Sequence, residues 1–106
     1  MRKIESSQEF DETIKTGNVV IADFYADWCG PCQVQAPILE ELSKELDGKV
    51  DIIKINVDQQ QELAQRFGVR SIPTLVFFKD QKTVDTSVGL SSKEALKKRV
   101  STLEAS

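Results

Sequence analysis

The sequence feature that most constrains the fold is the alternation of short apolar segments with stretches of helical periodicity. Val19–Tyr25, Val50–Val57 and Thr74–Lys79 are rich in β-branched and aromatic residues and have the length of buried strands. Between the first two, apolar residues recur at helical spacing from about Pro31 to Leu46. Strands that alternate with helices pair in parallel through right-handed crossovers. The pattern therefore predicts an α/β protein.

Further elements are predicted at the amino end and in the middle of the chain. A short strand is expected at Lys3–Glu5. Ser6 and Glu9 form a capping-box pattern that opens a helix, and Gly17 is expected to end it. A second short helix is expected around Leu63–Phe67, where apolar residues again recur at helical spacing.

The last third of the sequence predicts a hairpin and a final helix. Asp80 and Gln81 separate the third apolar segment from a further strand at Thr83–Val88, as in a two-residue hairpin turn. A second capping-box pattern, Ser91 with Glu94, opens the last helix. The hairpin adds antiparallel strands to the parallel ones, so we expect a mixed sheet with helices on both faces.

Length and composition limit the class of protein. A chain of 106 residues is the size of one domain, so residues 1–106 are expected to form a single domain. The chain has no His, which excludes Ser-His and Cys-His catalytic pairs and His-ligated metal sites. Its net charge of −3 argues against binding to nucleic acid or to anionic lipid.

No segment of the sequence has the pattern of a membrane span or an export signal. The longest apolar runs are far shorter than the about 20 residues needed to cross a bilayer. Arg2 and Lys3 are followed by polar residues where a signal peptide would have its apolar region. We therefore expect a cytoplasmic protein that has no membrane partner.

Two cysteines, Cys29 and Cys32, are the residues that most clearly indicate chemistry. They lie between an apolar strand and the start of a helix. Unpaired N–H groups and the helix dipole at that position favour a thiolate at Cys29. Pro31 suits the first helical turn, because its missing N–H would have had no partner there. The pair is therefore predicted to cycle between dithiol and disulfide.

Two other uses of the cysteine pair remain open at this point. A purely structural disulfide would stabilise the fold by only about 2 kcal/mol for so short a loop. A metal site would need two further ligands from a second chain, because this chain has two Cys and no His. Redox chemistry needs no second chain and does not depend on the small stabilisation by the disulfide, and no metal is expected.

Two charged residues interrupt strands that are otherwise largely apolar. Asp23 lies within Val19–Tyr25, and Lys54 lies within Val50–Val57. Burial would raise the pKa of Asp23 toward the working range of a proton acceptor, and without His it is the nearest candidate base for a buried thiol. Alternatively, both side chains face water, or they form an ion pair that has no part in catalysis.

The motif WCGPC at positions 28–32, which follows an apolar strand, and IPT at positions 72–74 together resemble the thioredoxin family. The resemblance extends over essentially the whole chain. It implies the thioredoxin fold, with a central mixed five-stranded sheet flanked by four helices. It also implies that Cys29 is an exposed nucleophile and that Cys32 is a buried resolving thiol. Asp23 and Lys54 would pair beneath them, and the peptide bond before Pro73 would be cis.

The same resemblance implies an apolar surface around the cysteines that binds substrate. Its residues would be Trp28, Gly30, Pro31, Val57, Val69, Ile72, Pro73, Val88 and Gly89. Four positions depart from the family pattern: Gln33 replaces the common Lys, Tyr25 replaces a frequent Trp, Ser71 replaces a frequent Gly, and Gln81 replaces a Gly in the hairpin. These departures leave the redox motif intact, and we expect Gln33 and Ser71 to affect the choice of partner proteins.

Together these residues predict a thiol-disulfide oxidoreductase that reduces protein disulfides and needs no bound cofactor. The resemblance implies disulfide-containing client proteins as substrates and a thioredoxin reductase as the electron donor. Gly30 and Pro31 add no positive charge, while Asp23 and Asp27 oppose a thiolate, so the pair should favour reducing other proteins. The alternative is a binding module of the same fold, in which redox competence is incidental and a partner protein docks on the face of Trp28.

Overall fold

The computed structural model describes residues 1–105, which form five strands and four helices. In chain order they are β1 (Arg2–Lys3), α1 (Ser7–Thr13), β2 (Val19–Tyr25), α2 (Gly30–Glu45), β3 (Val50–Asn56), α3 (Gln61–Arg66), β4 (Thr74–Lys79), β5 (Lys82–Val88) and α4 (Lys93–Glu104).

The five strands form one mixed sheet in the order β1-β3-β2-β4-β5. β3 pairs in parallel with both β1 and β2, whereas β4 is antiparallel to β2 and β5. The parallel pair β2–β3 is joined by the helical crossover α2, and the antiparallel pair β4–β5 is joined by a tight turn. The predicted α/β class, the five-stranded mixed sheet and the four helices are confirmed.

Each face of the sheet carries one hydrophobic core and two helices. On one face, residues of α1 and α3 pack against alternate residues of the strands, with Phe10, Phe24 and Phe78 as the largest buried side chains. On the other face, Leu39 and Leu42 of α2 pack with residues of α4 against the remaining strand residues. The alternation follows from the two-residue period of a strand. It places Asp23 on the same face as α2.

The first strand lies one to two residues before its predicted position, whereas the first helix opens at its predicted cap, Ser6. β1 is Arg2–Lys3 rather than Lys3–Glu5, although the N–H of Ile4 still donates to the carbonyl of Lys54 at 2.8 Å. The N–H of Glu5 donates instead to the carboxylate of Glu9, at 2.6 Å. The predicted capping pair at α1 therefore withdraws Glu5 from the sheet. The helix itself ends at Thr13, before Gly17.

The predicted cap of the last helix is wrong by one residue. The side chain of Ser92, not that of Ser91, accepts the N–H of Ala95 at 3.2 Å. Ser91 is instead held by hydrogen bonds to Gln35 and Ser87. Two adjacent serines could each serve as the cap, and the contacts of Ser91 with α2 and β5 leave Ser92 to do so.

The turn between β4 and β5 is the predicted two-residue hairpin. Its central residues Asp80 and Gln81 have φ of 52° and 69°, both in the left-handed region. A turn with two such residues matches the twist of the adjoining strands. The ladder extends to Lys79 and Lys82, so β5 begins one residue earlier than predicted.

Candidate active site

The redox site is built where β2 gives way to α2. β2 ends at Tyr25 and α2 begins at Gly30, with Cys29 as its N-cap. The N–H of Cys32 donates to Sγ of Cys29 at 3.2 Å, so a sulfur occupies the position of a capping oxygen. Pro31 lies in the first turn, as predicted. The free N–H groups and the helix dipole therefore act on Cys29.

Cys29 and Cys32 are joined in a disulfide, with their Cα atoms 5.3 Å apart. Their exposed fractions are 5% and 4%, so the expected contrast between an exposed and a buried sulfur is absent from the oxidised form. Both pack with Ala26, and the half-buried Val57 and Ile72 lie against this group. What distinguishes the two sulfurs is the helix cap, which only Cys29 provides.

The segment before β4 closes one side of the disulfide. Sγ of Cys29 lies 3.8 Å from the carbonyl oxygen of Ile72. The bond between Ile72 and Pro73 is cis, as the resemblance implied. The N–H of Gly89 donates to the carbonyl of Pro73 at 2.8 Å, which joins the end of β5 to this segment. Ile72, Pro73 and Gly89 are therefore brought together beside the cysteines.

Trp28 projects into solvent next to the disulfide, with 71% of the residue exposed. It is fixed by a hydrogen bond of 2.8 Å from its Nε1 to Oδ2 of Asp58. Asp58 is placed by Asn56, a buried residue at the end of β3 whose Oδ1 accepts the N–H of Asp58 at 2.9 Å and that of Gln59 at 3.2 Å. This Asx turn supports the most exposed large apolar side chain of the described residues.

Asp23 is a buried carboxylate on the α2 face of β2. Among the side-chain atoms described, its Oδ1 is buried without a hydrogen-bond partner. Burial raises the pKa of Asp23 to about 6, and the positive charge of Lys54 opposes this rise. The prediction that Asp23 is buried is confirmed.

Lys54 lies beside Asp23 in the sheet but does not neutralise it by direct contact. The two residues are register partners in the parallel pair of β2 and β3. Within residues 1–105, no ion pair of 4.0 Å or less joins them, and Nζ of Lys54 lies 4.5 Å from the centre of the Tyr25 ring. The charge of Lys54 therefore acts on Asp23 at a distance.

A cleft of about 260 Å³ connects this carboxylate to the redox pair. Asp23, Lys54 and Cys32 all line it, together with Tyr25, Ala26, Asp27, Gln33 and Ala36. The volume is sufficient for several water molecules. A proton could therefore pass between Cys32 and Asp23 through water without a direct contact of the two side chains.

The described residues hold no group of three or more Cys, Asp or Glu side chains arranged to bind a metal ion. None of their helices is both long enough and apolar enough to cross a membrane.

Comparison with known proteins identifies the family. The sequence model described as Thioredoxin matches residues 2–102. The chain belongs to the thioredoxin family. It is similar to thioredoxin from Bacillus subtilis, with 52% identity over 95 residues that cover 90% of each chain. Thioredoxin from Staphylococcus haemolyticus is 50% identical over 91 residues, 86% of each chain.

Solved thioredoxin structures have the same fold. The thioredoxin of Fasciola hepatica superposes with a TM-score of 0.89 at 36% identity, covering 96% of this chain and 98% of that one. A mutant thioredoxin from Halobacterium salinarum gives a TM-score of 0.89 at 42% identity, covering 95% and 88%. With the Cys29–Cys32 disulfide, these similarities establish a thiol-disulfide oxidoreductase of the thioredoxin family.

The remaining residues implied by the thioredoxin resemblance are placed at different distances from the disulfide. Gly30 and Pro31 lie between the cysteines and are exposed. Val88 is 66% exposed and is the register partner of Thr74, at the end of the ladder next to the cis-proline segment. Val69 packs against the α1 and α3 core rather than against the cysteines.

The departures from the thioredoxin pattern lie at the edge of the site. Gln33 lines the cleft, and its Nε2 donates to the carbonyl of Asp27 at 3.2 Å. Ser71 is exposed, and its carbonyl accepts the hydroxyl of Thr74 at 2.6 Å. Gln81 is at the far end of β4, in the hairpin turn, and so lies outside the site.

Two residues of this thioredoxin-family site were missed by the sequence prediction. Asp58 was given no role, although its carboxylate accepts the hydrogen bond from Trp28. Gln35 was not noted, although it lies on the buried stripe of α2 with Leu39 and Leu42. A polar residue at a helical position that faces the core was the available signal, because such a side chain must find hydrogen-bond partners.

Proposed function

We propose that this thioredoxin-family oxidoreductase reduces client proteins, with Cys29 as nucleophile and Cys32 as resolving thiol. The observation that carries this assignment is the N-cap position of Cys29, where unpaired N–H groups and the helix dipole stabilise a thiolate. Cys32 lies inside the helix, one turn further on, and receives less of this stabilisation.

The proposed cycle has two exchange steps. The Cys29 thiolate attacks one sulfur of the client disulfide, forms a mixed disulfide and releases the other client sulfur as a thiolate, which takes up a proton. Cys32 then loses its proton and attacks Sγ of Cys29, which releases the second client thiolate. The client gains two electrons and two protons, and the enzyme is left with the Cys29–Cys32 disulfide.

Asp23 is proposed as the base for the second step. Its carboxylate shares the cleft with Cys32, and a pKa raised to about 6 brings it closer to that of a thiol. Lys54 keeps part of the Asp23 population ionised near neutral pH, because its charge opposes the effect of burial. These two residues are proposed to move the proton through water in the cleft.

Client proteins are proposed to dock on the surface around the disulfide. Trp28, Val57, Ile72 and Val88 offer apolar contact area, and the backbone of Ile72 offers hydrogen-bonding groups to an extended client segment. Gly30, Pro31 and Gly89 complete the proposed surface, whereas Pro73 is buried and Val69 packs against the α1 and α3 core, so these two support the surface from beneath. Such positioning accounts for most of the rate advantage that the protein has over a free dithiol in disulfide exchange. A lower thiol pKa contributes less, because it also lowers the nucleophilicity of the thiolate.

The proposed setting is the cytoplasm, with residues 1–106 acting as a single domain in electron transport. A thioredoxin reductase would return electrons to the disulfide, and no cofactor, metal or nucleic acid takes part in the proposed cycle. The acidic net charge of −3 supports the exclusion of nucleic acid.

A turnover assay tests the function and separates it from a binding module. Catalytic amounts of the protein with dithiothreitol should accelerate the reduction of insulin disulfides over many turnovers, and Cys29→Ser should not. Stoichiometric binding of clients without turnover would support the binding module instead. Reduction by a flavoprotein reductase with reduced nicotinamide cofactor tests the electron donor separately.

A further inference from the structure

A buried amide side chain ties the redox helix to the segment that follows β5. Gln35 lies one turn after Cys32 in α2 and is fully buried. Its Nε2 donates to the carbonyl of Ser91 at 3.1 Å, and its Oε1 accepts the N–H of Ser91 at 2.9 Å. One side chain thus satisfies both backbone groups of a residue 56 positions away in the sequence.

The same segment is fixed at its other end by the sheet. Val88 pairs with Thr74 in β4, and the N–H of Gly89 donates to the carbonyl of Pro73. The hydroxyl groups of Ser91 and Ser87 lie 2.7 Å apart and share a further hydrogen bond. Residues 88–91 therefore run between two anchors, one in β4 and one in the redox helix.

Two exposed apolar side chains lie between these anchors. Val88 is 66% exposed, and Leu90 is 53% exposed. Docking of a client costs conformational entropy for every mobile residue that becomes ordered. A segment that is already fixed avoids much of this cost. By fixing residues 88–91, the amide of Gln35 therefore favours client binding as well as folding.

We propose that Gln35 is a positioning residue that holds Val88 and Leu90 ready for contact with protein clients. The proposal rests on the docking surface described under the proposed function and adds Leu90 to it. Gln35 itself touches neither the client nor the reacting sulfurs. Its loss should weaken the binding of protein substrates and leave the exchange chemistry of Cys29 and Cys32 unchanged.

The test compares a protein disulfide with a small one. Gln35→Met keeps the length and volume of the side chain but removes both hydrogen bonds. Pre-reduced protein is mixed with insulin or with hydroxyethyl disulfide, and the rate is followed against substrate concentration. The half-saturating insulin concentration should rise about tenfold, equivalent to about 1.4 kcal/mol. The limiting rate and the rate with hydroxyethyl disulfide should stay within about twofold of the parent values.

Two control variants separate positioning from stability. Ser91→Ala leaves intact both backbone groups that Gln35 binds and removes only the hydroxyl bond to Ser87, so it should weaken the affinity for insulin much less than Gln35→Met does. Val100→Ala removes buried volume from α4 and lowers stability, but it should not change the ratio of insulin to small-disulfide rates. Gln35→Leu removes the same two bonds with a different shape and replaces Gln35→Met if that protein does not fold.

Hydrogen exchange and a docking variant make each outcome decisive. The Ser91 amide should exchange at least about tenfold faster in Gln35→Met, because its acceptor is lost. Faster exchange with unchanged insulin affinity would overturn the proposal, and so would an unchanged exchange rate.

Val88→Ser tests the docking surface itself. If Val88→Ser slows insulin reduction while Gln35→Met does not, only the role of Gln35 is wrong; if neither variant has an effect, the docking surface is wrong.

Discussion

The indole N–H of Trp28 donates a hydrogen bond of 2.8 Å to the carboxylate of Asp58, across 30 residues of sequence. An aromatic side chain that is largely exposed is thereby held in one orientation beside the disulfide. Aromatic groups held in this way supply contact area at little entropic cost when a partner binds.

The Trp28–Asp58 bond predicts an effect of Asp58 on client reduction. Asp58→Ala should free the indole and slow insulin reduction about threefold, the effect of one lost hydrogen bond. Because the chain has one Trp, the steady-state fluorescence anisotropy reports on this side chain alone and should fall. Asp58→Asn keeps an acceptor oxygen and should retain most of both properties. Unchanged anisotropy in Asp58→Ala would show that the bond does not restrain Trp28.

The assignment of the nucleophile predicts different products for the two cysteine variants. Cys32→Ser should still attack a client disulfide but should accumulate the mixed disulfide, because no second thiol resolves it. Cys29→Ser should form no such adduct at neutral pH. Intact-mass spectrometry after mixing with a disulfide peptide distinguishes the two. An adduct on Cys29→Ser, with none on Cys32→Ser, would reverse the roles.

The raised pKa of Asp23 predicts a pH-dependent stability. Between about pH 4 and pH 6 the folded protein keeps a proton that the unfolded chain has lost, since burial raises the pKa of Asp23 from 3.8 to about 6. The free energy of unfolding should therefore fall as the pH rises through this window. Asp23→Asn should abolish this dependence and be more stable above pH 6 by up to about 3 kcal/mol.

Denaturant unfolding of the oxidised protein between pH 3.5 and pH 8 measures this effect. The difference between parent and Asp23→Asn should vanish below about pH 4, where the carboxyl is protonated in both states. A difference that does not vary with pH would show that Asp23 does not titrate as described.

The proposed role of Asp23 as a base predicts a kinetic effect on the second exchange step. Asp23→Asn should slow release of the mixed disulfide by at least about tenfold near pH 7, while the initial attack changes little. Quenched-flow sampling with acid trapping separates the two steps. Equal slowing of both steps would point to a change in Cys29 instead. An unchanged second step would exclude Asp23 as the base.

The hairpin turn predicts a stabilising substitution. Gln81 has φ of 69°, a conformation that costs an L-residue about 1–2 kcal/mol and glycine almost nothing. Gln81→Gly should therefore raise the free energy of unfolding by about 0.5–1 kcal/mol, after allowance for the greater freedom of glycine in the unfolded chain. Thermal unfolding measures the change. The control is Lys82→Gly, which places glycine at the first residue of β5 and should lower the free energy of unfolding. If Lys82→Gly raises the free energy of unfolding as much as Gln81→Gly does, the stabilisation does not come from the turn geometry.

The elements with a strong local pattern were predictable from the sequence. The bounds of β2 and β4 agree with the prediction residue for residue, because each is an apolar run that ends at polar or turn-forming residues. The cysteines were placed correctly at the strand-to-helix junction for the same reason.

Contacts between distant residues were not predictable from the sequence. The choice between Ser91 and Ser92 as helix cap is decided by Gln35, and nothing local to the two serines indicates it. The similar burial of Cys29 and Cys32 depends on side chains such as Ile72, which the fold brings to the disulfide from far along the chain.

The shortness of β1 bears on how this protein resists aggregation. β1 pairs with β3 only at Ile53 and Lys54, so in the described part of the chain Val50–Ile52 has no strand partner on that side. Open strand edges can pair with another molecule, and isoleucine-rich segments are especially prone to do so. Asp51 places a charge in the middle of this stretch, where pairing with a second copy would set like charges close together. In the stretch that the short first strand leaves open, the carboxylate of Asp51 is therefore the charge that opposes such pairing.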